Sequence, residues 1–236
     1  MISSSDKEYQ QTKQIMLGHE VMNPDFRPLA DYIDQTFGVR TINIMYDTIE
    51  KGTRPRLGVF FEFEHEKQSF NENNGIVNYD SRKQQLIAER FRQVIIEKKL
   101  NKNWQFFDLW RKPEKPKYDT TNIWIYYSAF EPIAKEETNE RVTEDRIEQL
   151  KAELNCKDLW KISRGFSATT FFLYTDEQVQ QYVDSDTRKI WADKYFDLIA
   201  PYNEFGYFKR DGFAIYLDSK ENFDVNYQGN WYYYYH

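Results

Sequence analysis

Apolar and polar positions along this chain switch repeatedly between a helical period and a period of two, and the switches mark its elements. Leu29, Tyr32, Ile33 and Phe37 recur at helical spacing behind Pro24 and Pro28, and Gly38 ends the run. Proline suits a first helical turn, where its missing N–H is no loss. In residues 39–48, Ile42, Ile44 and Tyr46 alternate with Asn43, Met45 and Asp47. That is the period of a strand with one wetter face. A turn at Lys51, Gly52 and Pro55 leads to 57–66, read as its antiparallel partner. Asp80 or Ser81 can cap a long helix striped by Leu86, Ile87, Phe91, Val94, Ile95 and Leu100. Segments 104–110 and 123–130 then read as two more strands.

Residues 132–141 are highly charged, lack a large aromatic and interrupt the periodicity, so they read as the boundary between halves. Thr143 opens a helix carrying Ile147, Leu150 and Leu154, followed by a hairpin of 159–163 and 168–174 around Gly165. Thr175 and Gln178 have capping-box spacing. Asp186 can cap a helix with Ile190, Trp191, Tyr195, Phe196 and Ile199, ended by Pro201. Strands at 205–209 and 213–217 flank Arg210, Asp211 and Gly212, and a last hairpin is expected in 223–235 around Gln228 and Gly229.

Both halves therefore read helix, hairpin, helix, hairpin. Phe60, Phe61, Glu62 and Phe63 match Phe171, Phe172, Leu173 and Tyr174 at an offset of 111, and Asp80 to Lys83 match Asp186 to Lys189 at 106. The expected fold class is α+β: two related halves, each of antiparallel sheet with helices packed on one face, derived by internal duplication. The expected division is a polar N-terminal segment (1–23), a first repeat (24–131), a charged linker (132–142) and a second repeat (143–236).

Composition sharpens this picture. Aromatics are 18% of 236 residues, and each ring buries about 150–250 Å², so Tyr, Phe and Trp must fill much of the interior. The net charge of −6 is uneven. Residues 1–130 carry 19 basic and 18 acidic side chains, a net of +1; residues 131–236 carry 13 and 20, a net of −7. Acidity disfavours non-specific attraction to phosphate backbones or anionic membranes. The single cysteine, Cys156, excludes an internal disulfide and suits a reducing compartment. The first residues lack a signal peptide's apolar region, and no run of about 18 apolar residues occurs. The expected location is cytoplasmic, with no membrane partner and no cofactor.

Candidate chemistry is sparse. On a strand through 57–66, Glu62, Glu64 and Glu66 share one face, with His65 on the other. Glu62, Glu64 and His65 are the candidate catalytic groups of a metal-dependent or Glu/His hydrolase; the alternative is a solvated strand face, and no metal site is assigned. No Walker loop, dinucleotide fingerprint or Gly-x-Ser-x-Gly elbow occurs. In 98–117, Lys98, Lys99, Lys102, Arg111, Lys112, Lys115 and Lys117 interleave with Trp104 and other rings, the composition of a single-strand nucleic-acid binder or of a solvated basic tip. The leading expectation is a non-enzymatic module that binds another protein through an acidic, Tyr-rich surface: Tyr202, Glu204, Asp218, Asp224, Trp231, Tyr233 and Tyr235. Its concrete form is an immunity-type inhibitor of a basic toxin or enzyme, because acidic complementarity accelerates such association.

Overall fold

A computed structural model describes residues 2–72, 78–101, 116–165 and 167–235. The chain divides into two compact units, Met1–Glu131 and Pro132–His236. Among the described residues each unit contains one three-stranded mixed sheet.

In the first unit, α1 (Lys7–Met16) forms where the sequence looks merely polar. One buried aromatic anchors it: Tyr9 stacks on Phe130 at 5.1 Å, while Thr12 accepts a 3.0 Å hydrogen bond from the Asn43 amide. Helix α2 (Arg27–Phe37) has Pro28 in its first turn and ends at Gly38, whose φ of 68° is the left-handed cap that glycine takes without strain. Strands β1 (Thr41–Ile49) and β2 (Arg54–Phe61) pair antiparallel. The chain then passes through α3 (Glu64–Gln68) and α4 (Ser81–Glu97) to β3 (Trp124–Ala129), which joins β2 in parallel. A parallel addition needs such a crossover, so β2 and β3 do not form a hairpin with each other. Its expected partner, 104–110, lies outside the described residues.

The expected strand through 57–66 stops at Phe61. Glu66 turns back to accept the Phe63 N–H at 2.9 Å, and this local cap starts α3 where the alternating pattern had suggested more strand. Residues 132–141, expected as a linker, are largely helical: α5 spans Phe130–Glu140. Ile133, Ala134, Thr138 and Asn139 are buried there, and because two of these are polar the apolar period is invisible.

The second unit continues with α6 (Glu144–Leu154), the antiparallel pair β4 (Leu159–Gly165) and β5 (Ala168–Leu173), then α7 (Asp176–Tyr182), α8 (Asp186–Ile199) and β6 (Tyr216–Ser219), parallel to β5. Caps follow the sequence closely: Thr175 and Gln178 form the reciprocal box at 3.3 and 3.0 Å, and Ser185, one residue before Asp186, caps α8 at 3.2 Å. The expected strand at 205–209 does not form. Instead the Asn203 side chain bridges both backbone groups of Phe208 and closes a loop. Phe208 and Phe196 then pack edge-on against Phe213.

The expected final hairpin is also helical: α9 (Lys220–Tyr227) and α10 (Trp231–Tyr235), separated by Gln228 and Gly229 at positive φ. Phe223, Tyr227, Trp231 and Tyr235 are spaced by four, and a helical path lays Phe223 and Trp231 together on the sheet residue Phe172.

Helices cover both faces of the second unit's sheet, not one. Phe171 stacks on Trp191 of α8 at 5.6 Å, whereas Phe172, one residue on and so on the opposite face, meets Trp231 at 5.3 Å. Both sheets share the same order, antiparallel then parallel. Both also carry a register shift at the start of the first strand, at Thr41/Asn43 and at Leu159/Lys161.

Phe171 is fully buried while Ile190 on α8 is 53% exposed. Phe171→Ala should therefore cost about 3–5 kcal/mol and Ile190→Ala less than about 0.5 kcal/mol in urea unfolding; equal effects would contradict the assigned faces.

Candidate functional site

The groups singled out as catalytic are spent on structure. Glu62 is buried and pairs with Arg40, and Glu66 accepts from the backbone N–H of Arg40 at 2.7 Å as well as from Phe63. Glu64 pairs with Lys67 at 3.0 Å, while exposed His65 stacks on Phe63. Glu62 and Glu66 thus converge on Arg40, while Glu64 turns to Lys67. Among the described residues no group of three His, Cys, Asp or Glu could hold a metal ion.

Of the basic segment, Lys102, Trp104, Arg111, Lys112 and Lys115 lie outside the described residues. Lys98 donates to the Pro24 carbonyl at 2.7 Å and Lys99 is exposed with φ of 57°. Lys117 pairs with Asp25 at 2.9 Å, and this hydrogen bond is the main reason the Asp25 carboxyl sits below its ordinary range. Asn101 and Tyr118 exchange two hydrogen bonds, at 2.7 and 2.9 Å, so the two ends of the intervening stretch are held together.

The proposed acidic, Tyr-rich residues are scattered over the second unit. Tyr202 stacks under Arg141, which also reaches Glu204 at 3.7 Å. Asp224 pairs with Lys220, and Asp218 accepts from Tyr234 at 2.6 Å. Tyr233 is 53% exposed. Trp231 and Tyr235, however, form one wall of a cleft of about 510 Å³, a volume within the range of ligand sites. Its other walls are Glu136, Asn139 and Glu140 from α5, Glu144, and four consecutive residues of β4, Lys161 to Arg164.

Side chains alternate along a strand, so four consecutive lining residues mean that the cleft follows the edge of β4. Among the described residues β4 is an outer strand and pairs only with β5. No family model, curated protein or solved structure matches the chain. Among the described residues, no helix is long and apolar enough to cross a membrane.

The cleft's own cations are engaged. Arg164 donates to the carbonyls of Asn139, at 2.7 Å, and Val142 and pairs with Glu144; Lys161 sits 5.4 Å from the centre of the Trp231 ring. Tyr235 hydrogen-bonds Ser163 at 2.7 Å and lies directly on Gly165, where an added Cβ would fall 2.1 Å from its ring. Glycine is needed here for close approach and not for its backbone freedom.

Among the described residues, two groups lining the cleft lack partners. Glu136, half-buried, makes no hydrogen bond or ion pair among the described residues. Burial, with a smaller contribution from nearby Glu140, raises its carboxyl above the ordinary 4.5. Asn139 is 2% exposed; its carbonyl oxygen accepts from Tyr195 at 3.0 Å, while its amide nitrogen has no acceptor. Sequence reading missed both because it placed them in a linker; the weak signal was Ile133 and Ala134 in an otherwise polar stretch.

Two outcomes follow from this geometry. Because folding favours the protonated form of Glu136, its charge destabilises the protein increasingly as pH rises from 4.5 through the raised value. Glu136→Gln should accordingly melt higher than wild type at pH 7 and at the same temperature at pH 3.5, by scanning calorimetry. Gly165→Ala should cost about 1–3 kcal/mol by crowding Tyr235, and almost nothing in a Tyr235→Ala background.

Proposed function

We propose that the chain is a non-enzymatic protein-binding module whose second unit receives a basic partner, an immunity-type inhibitor being its concrete form. The observation that carries this reading is the unpaired, half-buried Glu136 inside a cleft walled by Trp231 and Tyr235. A carboxylate partly withdrawn from water without a counter-charge carries a cost, and a cationic partner that supplies one offsets it on binding. The surrounding unit has an excess of acidic residues, which steers such a partner toward it. Rings beside a charged pocket are typical anchors at the centre of an interface.

The same reading takes the two units as copies of one ancestral module. It is supported by their identical strand order, by register shifts at matching places and by the shared offset of the phenylalanine pairs Phe60/Phe61 and Phe171/Phe172.

Wild-type protein and a Glu136→Lys variant, immobilised side by side and exposed to lysate of the source cell, test the function. A basic protein retained by wild type should dissociate at least tenfold faster from the variant and weaken about tenfold or more between 0.05 and 0.5 M salt. Equal retention by both baits, or none by either, would overturn the reading.

A further inference from the structure

Glu136 and Asn139 stand three residues apart on α5, which places them on one helical face with Cβ atoms about 5–6 Å apart. One is a carboxylate without a donor, the other a buried amide without an acceptor, and both line the cleft along β4. Buried polar groups in folded proteins are almost always paired, so this complementary couple describes the missing ligand: a cation beside a hydrogen-bond acceptor. A lysine or arginine residue within a peptide is such a group, its side chain cationic and its backbone carbonyl accepting.

The walls fit the rest of that residue. Trp231 and Tyr235 offer apolar surface to an aliphatic stem. The alternating side chains of Lys161 to Arg164 mark the strand edge, where an extended segment gains backbone hydrogen bonds by lying alongside as a further strand. The charged groups facing the cleft are Glu136, Glu140, Glu144, Lys161 and Arg164, and the last two are held by Trp231 and by Glu144. A cation entering beside Glu136 therefore meets an acidic wall on α5.

We infer that the β4 cleft binds an extended peptide segment through one lysine or arginine, whose cationic head pairs with Glu136 and whose backbone carbonyl accepts from the Asn139 amide. The inference rests on the function proposed above and specifies how the partner engages.

Full-length protein titrated calorimetrically with the capped peptide acetyl-Thr-Val-Lys-Val-Thr-amide, and with its norleucine analogue, tests it. The lysine peptide should bind at least tenfold tighter than the norleucine peptide. Asn139→Ala and Glu136→Gln should each weaken it about tenfold, while amide resonances of Lys161 to Arg164 shift in the wild type. Equal affinity of the two peptides, no binding of either, or shifts that avoid β4 would overturn the inference. If Asn139→Ala fails to fold, Glu136→Gln and the norleucine comparison decide alone. Retention of an intact basic partner in a Glu136-dependent way, with no peptide binding, would overturn only the peptide mode; peptide binding without any retained partner would overturn the protein-partner reading instead.

Discussion

The fold depends on one constraint: the central strand of each sheet carries two adjacent phenylalanines. Phe60 and Phe61 on β2, and Phe171 and Phe172 on β5, point to opposite faces and are all buried. A sheet with rings on both sides needs cover on both sides. In the first unit Phe61 packs with Phe70 and Tyr127 on the face closed by α2 and α4, while Phe60 meets Tyr126 on the face closed by α1. In the second, α8 covers Phe171 and the pair α9 and α10 covers Phe172. The short helices α1 and α10 depend on packing against the rest of their units, through Tyr9 on Phe130 and Trp231 on Phe172, since isolated helices of that length are marginal in water.

This explains which parts of the structure were legible in the sequence. Caps were, because they are local: Asp80, Thr175 with Gln178, and Gly38 state their role within three or four residues. The strands β1, β4 and β5 were, because their alternation reports a sheet face directly. The region 205–235 was not. Its rings satisfy strand and helix patterns equally, and contacts with Phe172, distant in sequence, choose between them for the last two helices. Nor was β3's parallel partner visible, since nothing local distinguishes a strand that returns to a neighbour from one that crosses over.

The cleft was illegible for a further reason. Glu136 and Asn139 belong to a helix whose buried face includes Thr138 and Asn139. Thr138 satisfies itself by donating to the Ala134 carbonyl one turn back, at 2.8 Å, which lets a polar residue occupy an apolar position. Charge counting then describes a linker where packing has built a wall. By contrast, the residues that looked chemical, Glu62, Glu64 and Glu66, owe their spacing to a strand end and a helix start.

The reciprocal hydrogen bonds between Asn101 and Tyr118, with Tyr118 also reaching Asp25 and packed beneath Phe91, make a closed collar at the base of the first unit. Such a collar already meets the entropic cost of bringing the chain back on itself, and that cost grows only slowly with the number of residues enclosed. The chain is thereby returned toward β3 by bonds that Asn101 and Tyr118 make themselves, a closure that precedes the strand by only a few residues.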